Sequence, residues 1–277
     1  FDEAKRLVDL AHAAGVDAVK LQTYKADTIV TKTARFDLDN VGDMVQHELF
    51  QKYQIDFDLH KKVFNYIESK GLDWFSTPSH RTDVDMLDEL GVVAHKLGAD
   101  DATNLPLIKY VASTNKPILL SSGMCTMAEV REMINVCLEV GNDKIILFHT
   151  ISNYPTYSNQ VNLLAMKALK KEFPALTVGF SDHTIGPIAS LVAASMGAEV
   201  VEKHFTYDKN AEGPDHQLSA SPEEMTEIVN NIREYEIMRG SSTKKPVGKE
   251  IVNREKNRKS VVSIKPIKKG EAFTLKN

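Results

Sequence analysis

The sequence is poor in cysteine: it has two, Cys125 and Cys137, in 277 residues. Two cysteines can form at most one disulfide, which is too few to staple a domain of this size, so the composition favours a reducing compartment and predicts a cytoplasmic protein. The two cysteines also lie too far apart for the short spacings of zinc sites. We therefore interpret both as structural residues.

Long apolar runs and an excess of charge of one sign are missing as well. No uninterrupted apolar stretch approaches the roughly 20 residues that a transmembrane helix needs, and we expect no secretory leader, because none opens the sequence. Lys and Arg number 34 against 38 Asp and Glu, a formal net charge of −4, which gives no general attraction for nucleic acid. What the chain does have is a 42% share of hydrophobic residues, enough to bury a full core. We expect a folded protein whose partners are neither membranes nor nucleic acids.

A repeated unit runs along the chain: an amphipathic helix, a Gly or Pro turn and a short β-branched stretch that ends in polar residues. Residues 1–14 are typical of the first helix, with Leu7 and Val8 on its apolar face. Gly15 can serve as its stop. The pattern predicts seven strands, at residues 17–23, 73–77, 92–98, 117–121, 144–149, 177–181 and 199–204. Strands that alternate with helices over this length indicate a parallel sheet buried on both faces.

The fold class that this alternation favours is a (β/α)8 barrel, the TIM barrel, which has eight parallel strands in roughly 250 residues. Seven strands are predicted and the chain begins on a helix, so we expect the first strand to lie upstream, outside this chain. An open doubly wound sheet is the alternative. No predicted strand is followed by the glycine-rich phosphate fingerprint of that fold, which favours the barrel.

The chain changes character after a last predicted helix. Residues 221–224 (SPEE) are a typical helix start, with a Ser cap and acids in the first turn, and the helix should run to about Met238. We expect residues 1–240 to form the barrel domain and residues 241–259, which are basic, to be a linker. Residues 260–277 are typical of the first strand and turn of a small β-rich domain, and we expect the end of the chain to cut that domain short.

One stretch breaks the rhythm of strand and helix. Residues 24–55 separate the first predicted strand from its helix, and we predict a long loop there. Loops of that length are usually functional lids or partly disordered segments. We expect this one to overhang the carboxyl ends of the strands.

Polar residues stand where the apolar strands end, at the rim that carries the active site of a TIM barrel. Lys20 and Lys96 interrupt apolar runs at matching heights, and a charged group there is costly unless it is paired or bound to a ligand. Each lysine alone can be explained by a salt bridge or by a side chain that reaches out to solvent. Two lysines together with strand-end Thr77, Ser121 and Ser181 instead suit a phosphate or a carboxylate.

Two histidines close consecutive strands, His183 within SDHT and His204 within EKHFT. Neutral imidazoles on neighbouring strand ends can share one divalent metal ion, with water or a substrate oxygen in the other positions. A lone histidine is more often structural, but each of these stands beside a carboxylate, Asp182 or Glu202, so we predict a metal site. Asp215, in the following GPDH loop, can bind sugar hydroxyls, act as a base or simply form an Asx turn.

The sequence resembles the sialic acid synthase family, whose members make N-acetylneuraminate and related nonulosonic acids. The matching blocks, in order, are AGVDAVKLQTYKADTIV, FSTP, ATNLPLI, KPILLSSGM, NYPTYSNQVNL, GFSDHTIG and AEVVEKHFTYDKNAEGPDHQLS. The final SVVSIKPIKKGE is similar to the start of the antifreeze-like (SAF) domain that follows the barrel in these synthases. The resemblance implies that phosphoenolpyruvate condenses with the open-chain aldehyde of an N-acetylated hexosamine, such as N-acetylmannosamine, to give a nine-carbon 2-keto acid and phosphate. It also implies a homodimer.

The resemblance further implies roles for individual residues. The family's phosphoenolpyruvate site matches Lys20, Thr77, Lys96, Ser121, Ser152 and Ser181. The ligands of its divalent metal, Mn²⁺ or Mg²⁺, match His183 and His204. Contacts to the amino sugar match Tyr154 and Asp215. The expected catalytic residues are Asp101, His204 and Asp215, of which Asp101 matches a carboxylate that can manage protons at C2 of phosphoenolpyruvate.

Three other functions stay open at this point. A phosphoenolpyruvate-dependent synthase that acts on arabinose 5-phosphate or erythrose 4-phosphate needs an extra cationic site for the acceptor's phosphate. A metal-dependent barrel hydrolase usually has more ligands, often an HxH pair, and no such pair occurs in the sequence. The hypothesis of a non-catalytic sugar-binding module is supported by the C-terminal tail alone, and it does not explain Lys20 and Lys96 in the strands.

Overall fold

Seven parallel strands form the central sheet of the computed structural model, which describes residues 1–38 and 42–277. They lie side by side in chain order: β1 Ala18–Thr23, β4 Asp73–Pro78, β5 His95–Leu97, β6 Ile118–Ser121, β7 Ile145–Thr150, β8 Thr177–Asp182 and β9 Val200–Lys203. Every strand that the sequence predicts is present, although β5 is shorter than predicted. The α/β class is confirmed.

Helices connect these strands: α1 Asp2–Ala14, α4 Phe57–Ser69, α5 Arg81–Leu90, the 3-10 turn Ala99–Asp101, α6 Leu105–Ser113, α7 Met127–Glu139, α8 Leu164–Glu172, α9 Ile188–Ser195 and α10 Pro222–Arg239. Local chemistry sets their ends. Asp56 caps α4 by accepting a hydrogen bond from the backbone N–H of Leu59. Thr126 and Glu129 form a reciprocal capping box at the start of α7. Gly15 ends α1, as predicted, in the left-handed conformation (φ 83°) that residues with a side chain rarely adopt.

Apolar layers cover both faces of the sheet, as expected for buried parallel strands. On the outer face, Ile118 and Leu120 are fully buried in a cluster that includes residues of α6 and α7. Cys137 is fully buried in the same cluster, and both cysteines are free thiols. On the inner face, Phe148 is fully buried against Leu119. The inner layer forms an apolar floor beneath the polar strand ends.

The sheet curls until its two edge strands, β1 and β9, come within side-chain reach of each other. Lys20 Nζ on β1 lies 3.3 Å from a carboxylate oxygen of Glu202 on β9. Helices α1 and α10 pack together near these edges, where Ala14 shares an apolar cluster with Met225 and Ile228. The result is a parallel-strand half-barrel, which confirms the predicted barrel in part. Among the described residues no eighth strand joins this sheet, so that strand stays a prediction.

The segment between β1 and α4 is folded rather than a plain loop. It contains the helix α2 Ala26–Ile29, the antiparallel strands β2 Arg35–Leu38 and β3 Gly42–Val45, and the helix α3 Gln46–Tyr53, while residues 39–41 lie outside the described residues. The prediction of a long loop at residues 24–55 is therefore wrong for most of that stretch. Residues 46–53 are rich in good helix formers. Gln54 then ties the end of α3 to α2 by accepting a hydrogen bond from the backbone N–H of Ala26 (2.8 Å).

The chain divides into two compact units, Phe1–Tyr235 and Glu236–Asn277. The helix predicted after residue 221 is confirmed as α10, and a further helix, α11 Glu250–Asn257, occupies part of the predicted linker. No strand lies within the described residues 260–277, so the small β-rich domain stays a prediction. None of the described helices is both long and apolar enough to cross a membrane.

Candidate functional site

The neighbouring strands β8 and β9 hold the central residues of the site in register. Ser181 lies opposite Glu202, and Asp182 lies opposite Lys203. Because successive side chains of a strand point to opposite faces, these two pairs lie on opposite faces of the sheet. The first pair faces the inside of the half-barrel. The second faces α9, where Ser190 donates a hydrogen bond to Asp182 (2.6 Å).

Glu202 joins the two predicted lysines inside the half-barrel. One of its carboxylate oxygens lies 3.3 Å from Lys20 Nζ, and the other lies 3.6 Å from Lys96 Nζ. Ser181 Oγ donates to Glu202 (2.8 Å), and the buried Lys96 donates to Ser121 Oγ (2.5 Å). The salt bridge considered for each lysine is thus present, and both lysines share one carboxylate. Two ammonium groups and one carboxylate leave this lysine cluster with one net positive charge.

The charged groups of the lysine cluster shift one another's pKa values. Burial lowers the pKa of Lys96 to about 8, and Glu202 opposes that shift. Burial alone would raise the pKa of Glu202, but Lys20 and Lys96 outweigh it and hold that pKa well below its usual range. Glu202 is therefore ionised at neutral pH, while Lys96 loses its proton in mildly alkaline solution.

The sequence indicates Glu202 only as a carboxylate beside His204 and does not predict its ion pairs with the two lysines. A signal for it was available. Glu202 stands two residues before His204, and residues two apart on a strand share a face. The strand period therefore places this carboxylate on the same side of β9 as the histidine.

Two further predicted hydroxyls, those of Thr77 and Ser152, lie at the carboxyl ends of β4 and β7. Thr77 is buried, and its Oγ1 has no hydrogen-bond partner among the described residues. An unpaired buried hydroxyl is costly unless a ligand or water contacts it. Ser152 packs against the loop that follows β6: a Cβ at Gly123 would come within 2.5 Å of Ser152 Oγ, so only glycine allows this close approach.

His183 and His204 directly follow the paired ends of β8 and β9 and lie side by side. Their ring centroids are 5.4 Å apart, and the ring of Tyr154 contacts His183 with 4.3 Å between centroids. Burial lowers the pKa of both imidazoles, that of His204 to about 3, so both are neutral at physiological pH. A carboxylate oxygen of Asp215 lies 3.7 Å from His204 Nδ1, and burial raises the pKa of this carboxyl. Four predicted residues thus come together.

The chemistry of the two histidines fits a divalent metal ion. His183 Nδ1 lies 2.8 Å from the backbone carbonyl oxygen of Ile151, to which it donates, so its Nε2 is left with a free lone pair. Neutral imidazole is also the form that binds metals. In the described part of the chain, no group of three or more His, Cys, Asp or Glu side chains is placed to hold a metal. An ion here would have two protein ligands, with water or substrate oxygens in its other positions.

Asp101 stands apart from both groups. It ends the 3-10 turn after β5, its side chain accepts a hydrogen bond from Asn104 (3.0 Å), and burial raises its pKa to about 6. No described hydrogen bond or ion pair joins it to the lysines or the histidines. Its neighbour Asp100 is the carboxylate of this turn that acts on the pKa of Lys96. The structure therefore places a proton-exchanging group at the strand ends, but not in contact with the metal-binding candidates.

Comparisons with known proteins agree with the resemblance found in the sequence. Residues 7–244 match the sequence profile of the NeuB family. N,N'-diacetyllegionaminic acid synthase from Campylobacter jejuni is 40% identical over 99% of this chain and 84% of its own length, and the protein of that name from Legionella pneumophila is 40% identical over 96% and 77%. N-acetylneuraminic acid (sialic acid) synthetase from Leptospira borgpetersenii, crystallised with citrate, matches with a TM-score of 0.80 and 26% identity, over 94% of this chain and 88% of that one. Because the profile matches most of the chain and these relatives align along nearly all of it, the chain belongs to the NeuB family.

Proposed function

We propose that this chain condenses phosphoenolpyruvate with the open-chain aldehyde of an N-acetylated hexosamine, either N-acetylmannosamine or a related amino sugar, to give a nine-carbon 2-keto acid and phosphate. The observation that carries the proposal is the lysine cluster, which has a net positive charge inside the half-barrel and whose carboxylate, Glu202, lies on the strand that leads into His204. The named activities of the relatives support the same chemistry, since they are synthases of diacetyllegionaminic acid and of sialic acid.

The lysine cluster suits phosphoenolpyruvate because that substrate carries both a phosphate and a carboxylate. Lys20 and Lys96 supply the cations, and Glu202 holds both ammonium groups in place, which lowers the cost of ordering them when the anion binds. The buried hydroxyl of Thr77, with no described protein partner, fits a contact to this ligand. The other hydroxyl donors in the proposal are those of Ser121, Ser152 and Ser181.

His183 and His204 would hold a divalent ion, Mn²⁺ or Mg²⁺. When bound, such an ion acts as a Lewis acid toward the aldehyde oxygen of the acceptor. Both imidazoles are neutral, so no proton has to be displaced before they bind. The hydrogen bond from His183 to the Ile151 carbonyl orients that ring.

Tyr154 and Asp215 would contact the acceptor sugar beside the histidines. With its raised pKa, Asp215 can accept hydrogen bonds from sugar hydroxyls or take up a proton. In the reaction, C3 of phosphoenolpyruvate bonds to the aldehyde carbon, water adds at C2, and phosphate leaves by cleavage of its C–O bond. Asp101, with a pKa of about 6, is the proposed base for that water.

The charges near Asp215 favour an acceptor without a phosphate. Lys52 is paired with Glu212 (2.9 Å) and Lys209 with Glu224 (2.6 Å), so each of these two lysines tied to the loop that carries Asp215 already has a carboxylate partner. A phosphorylated acceptor such as arabinose 5-phosphate needs a cation of its own. We therefore favour a neutral amino sugar over the phosphorylated acceptors.

A phosphate-release assay tests this proposal. Protein supplied with Mn²⁺ and phosphoenolpyruvate should release phosphate with an N-acetylated hexosamine, and not with arabinose 5-phosphate or erythrose 4-phosphate. Lys96→Ala should abolish the release while the protein stays folded. The matched variant Lys116→Ala, which removes a lysine paired with Asp88 (2.7 Å) before β6, should stay active. Release with no N-acetylated hexosamine would overturn the proposal, and release with a sugar phosphate alone would favour the alternative synthases.

A further inference from the structure

A buried ion pair lies behind the two histidines. Lys203 Nζ is 2.9 Å from Asp182 Oδ2, and only 2% and 0% of the two side chains are exposed. Each partner immediately precedes one histidine, since Asp182 comes before His183 and Lys203 comes before His204. The pair faces α9 rather than the inside of the half-barrel, so it is separated from a substrate bound there.

The same pair holds the backbone on the far side of His183. Asp182 Oδ1 accepts a hydrogen bond from the backbone N–H of Thr184 (2.8 Å), and Lys203 Nζ donates to the carbonyl oxygen of Thr184 (2.6 Å). Ser190 Oγ donates to Asp182 Oδ2 (2.6 Å) and ties the pair to α9. The residues on both sides of His183 and the residue before His204 therefore belong to one hydrogen-bonded network.

We propose that Asp182 and Lys203 are positioning residues that fix the rings of His183 and His204 relative to each other, and through them the affinity for a divalent ion. The inference rests on the proposed function, because it takes the two histidines as the metal ligands. Stability alone is a poor reason for such a pair, since a buried ion pair is often no more stabilising than apolar side chains of the same size. Apolar side chains cannot supply the directional link between β8 and β9 next to the ligands.

The paired substitution Asp182→Asn/Lys203→Met tests the inference, because it removes both charges and leaves no unpaired ion in the core. The control is Glu172→Gln/Arg131→Met, which removes both charges of an ion pair between α7 and α8, away from His183 and His204. In the first variant, we expect Mn²⁺ binding, measured by electron paramagnetic resonance without substrate, to weaken roughly 10- to 100-fold. Phosphoenolpyruvate binding should stay close to that of the wild type, because the lysine cluster lies on the other face of the sheet. The control should bind Mn²⁺ as the wild type does.

A crystal structure of the paired variant supplies a readout that does not need the ion. We expect the separation of the His183 and His204 ring centroids to depart from 5.4 Å. If the paired variant does not fold, Ser190→Ala takes its place, because it removes one hydrogen bond to Asp182 and leaves the ion pair intact. In Ser190→Ala we expect a weaker affinity for Mn²⁺ and a changed ring separation relative to the wild type, both by less than the amounts expected for the paired variant.

Two results would overturn the inference. One is an unchanged ring separation in the folded variant. The other is a paired variant that binds Mn²⁺ as tightly as a wild type that does bind the ion. Asp182 and Lys203 would then only stabilise the fold. If the wild type binds no Mn²⁺, the metal part of the proposed function fails separately, and the ring separation alone decides whether Asp182 and Lys203 are positioning residues.

Discussion

Glu202 on β9 forms an ion pair with Lys20 on β1 at 3.3 Å, although β1 and β9 are the opposite edges of the sheet. The same carboxylate lies 3.6 Å from Lys96 on β5. Curling of the sheet and assembly of the lysine cluster are therefore one event. The proposed anion site exists because the sheet curls into a half-barrel.

The affinity for phosphoenolpyruvate should follow the protonation of Lys96. This lysine is a cation below its pKa of about 8 and neutral above it, so the affinity should be high at lower pH and fall as the pH rises through that value. Glu202→Gln removes the carboxylate that opposes the lowering, so the fall should move to lower pH. Calorimetric titrations from neutral to alkaline pH measure both curves, and equal midpoints would show that Glu202 does not tune Lys96.

The rate of phosphate release should rise with pH as Asp101 ionises. Its pKa is about 6, and the ionised carboxylate is the form that can take a proton from the water that adds at C2. Asp101→Asn should lower kcat by about 10²- to 10⁴-fold and remove this rise. Asp100→Asn should keep the rise but move it to lower pH, because the charge of Asp100 contributes to the raised pKa of Asp101. A pH profile of Asp101→Asn that still rises near pH 6 would assign the titration to another group.

The loop after β7 offers a test of acceptor binding. Both Tyr154 and Tyr157 are exposed on this loop, at 47% and 66%. Tyr154 contacts the His183 ring at 4.3 Å between centroids, whereas no described ring contact joins Tyr157 to the histidines. Tyr154→Ala should raise KM for the amino sugar about tenfold, as expected for the loss of about 1.4 kcal/mol of binding, and should leave KM for phosphoenolpyruvate unchanged. Tyr157→Ala should change neither. Steady-state kinetics with each substrate varied in turn measure this, and a rise only in KM for phosphoenolpyruvate would place Tyr154 on the donor side.

Gly179 in β8 should not tolerate a side chain. A Cβ at this position would lie 2.8 Å from the ring of Phe148 and 2.9 Å from the backbone carbonyl oxygen of Val200. Phe148 is fully buried, and the Val200 backbone cannot move without shifting β9, so Gly179→Ala should lower the free energy of unfolding by about 1–3 kcal/mol. Urea denaturation measures the change. An unfolding midpoint equal to that of the wild type would show that Phe148 and the Val200 backbone can shift to accommodate the added methyl group.

The strands and helices of the half-barrel could be predicted because their signals are local. Gly15 ends α1 in the conformation that glycine favours, and the residues of β8 and β9 follow turns that the sequence marks clearly. Counting along those strands also placed His183 and His204 at their ends, where the structure brings the two rings to 5.4 Å.

Other features depend on partners that local patterns do not show. The helix α3 was missed because part of its support is a hydrogen bond between Gln54 and Ala26 across the segment. The hydrogen bond that Asp101 accepts from Asn104 (3.0 Å) was likewise not indicated by the strand pattern, and the catalytic role of Asp101 stays a prediction.

The sequence by itself determined the order of strands and helices, the family resemblance and the polar residues that end the strands, because turn chemistry and the period of apolar side chains act between near neighbours. Only the tertiary structure decided which of those residues meet. Lys20 and Glu202 lie far apart in the chain, and their contact depends on the twist and packing of their own two strands and the five strands between them. That curvature is a property of the whole sheet, and so no local stretch of sequence contains it.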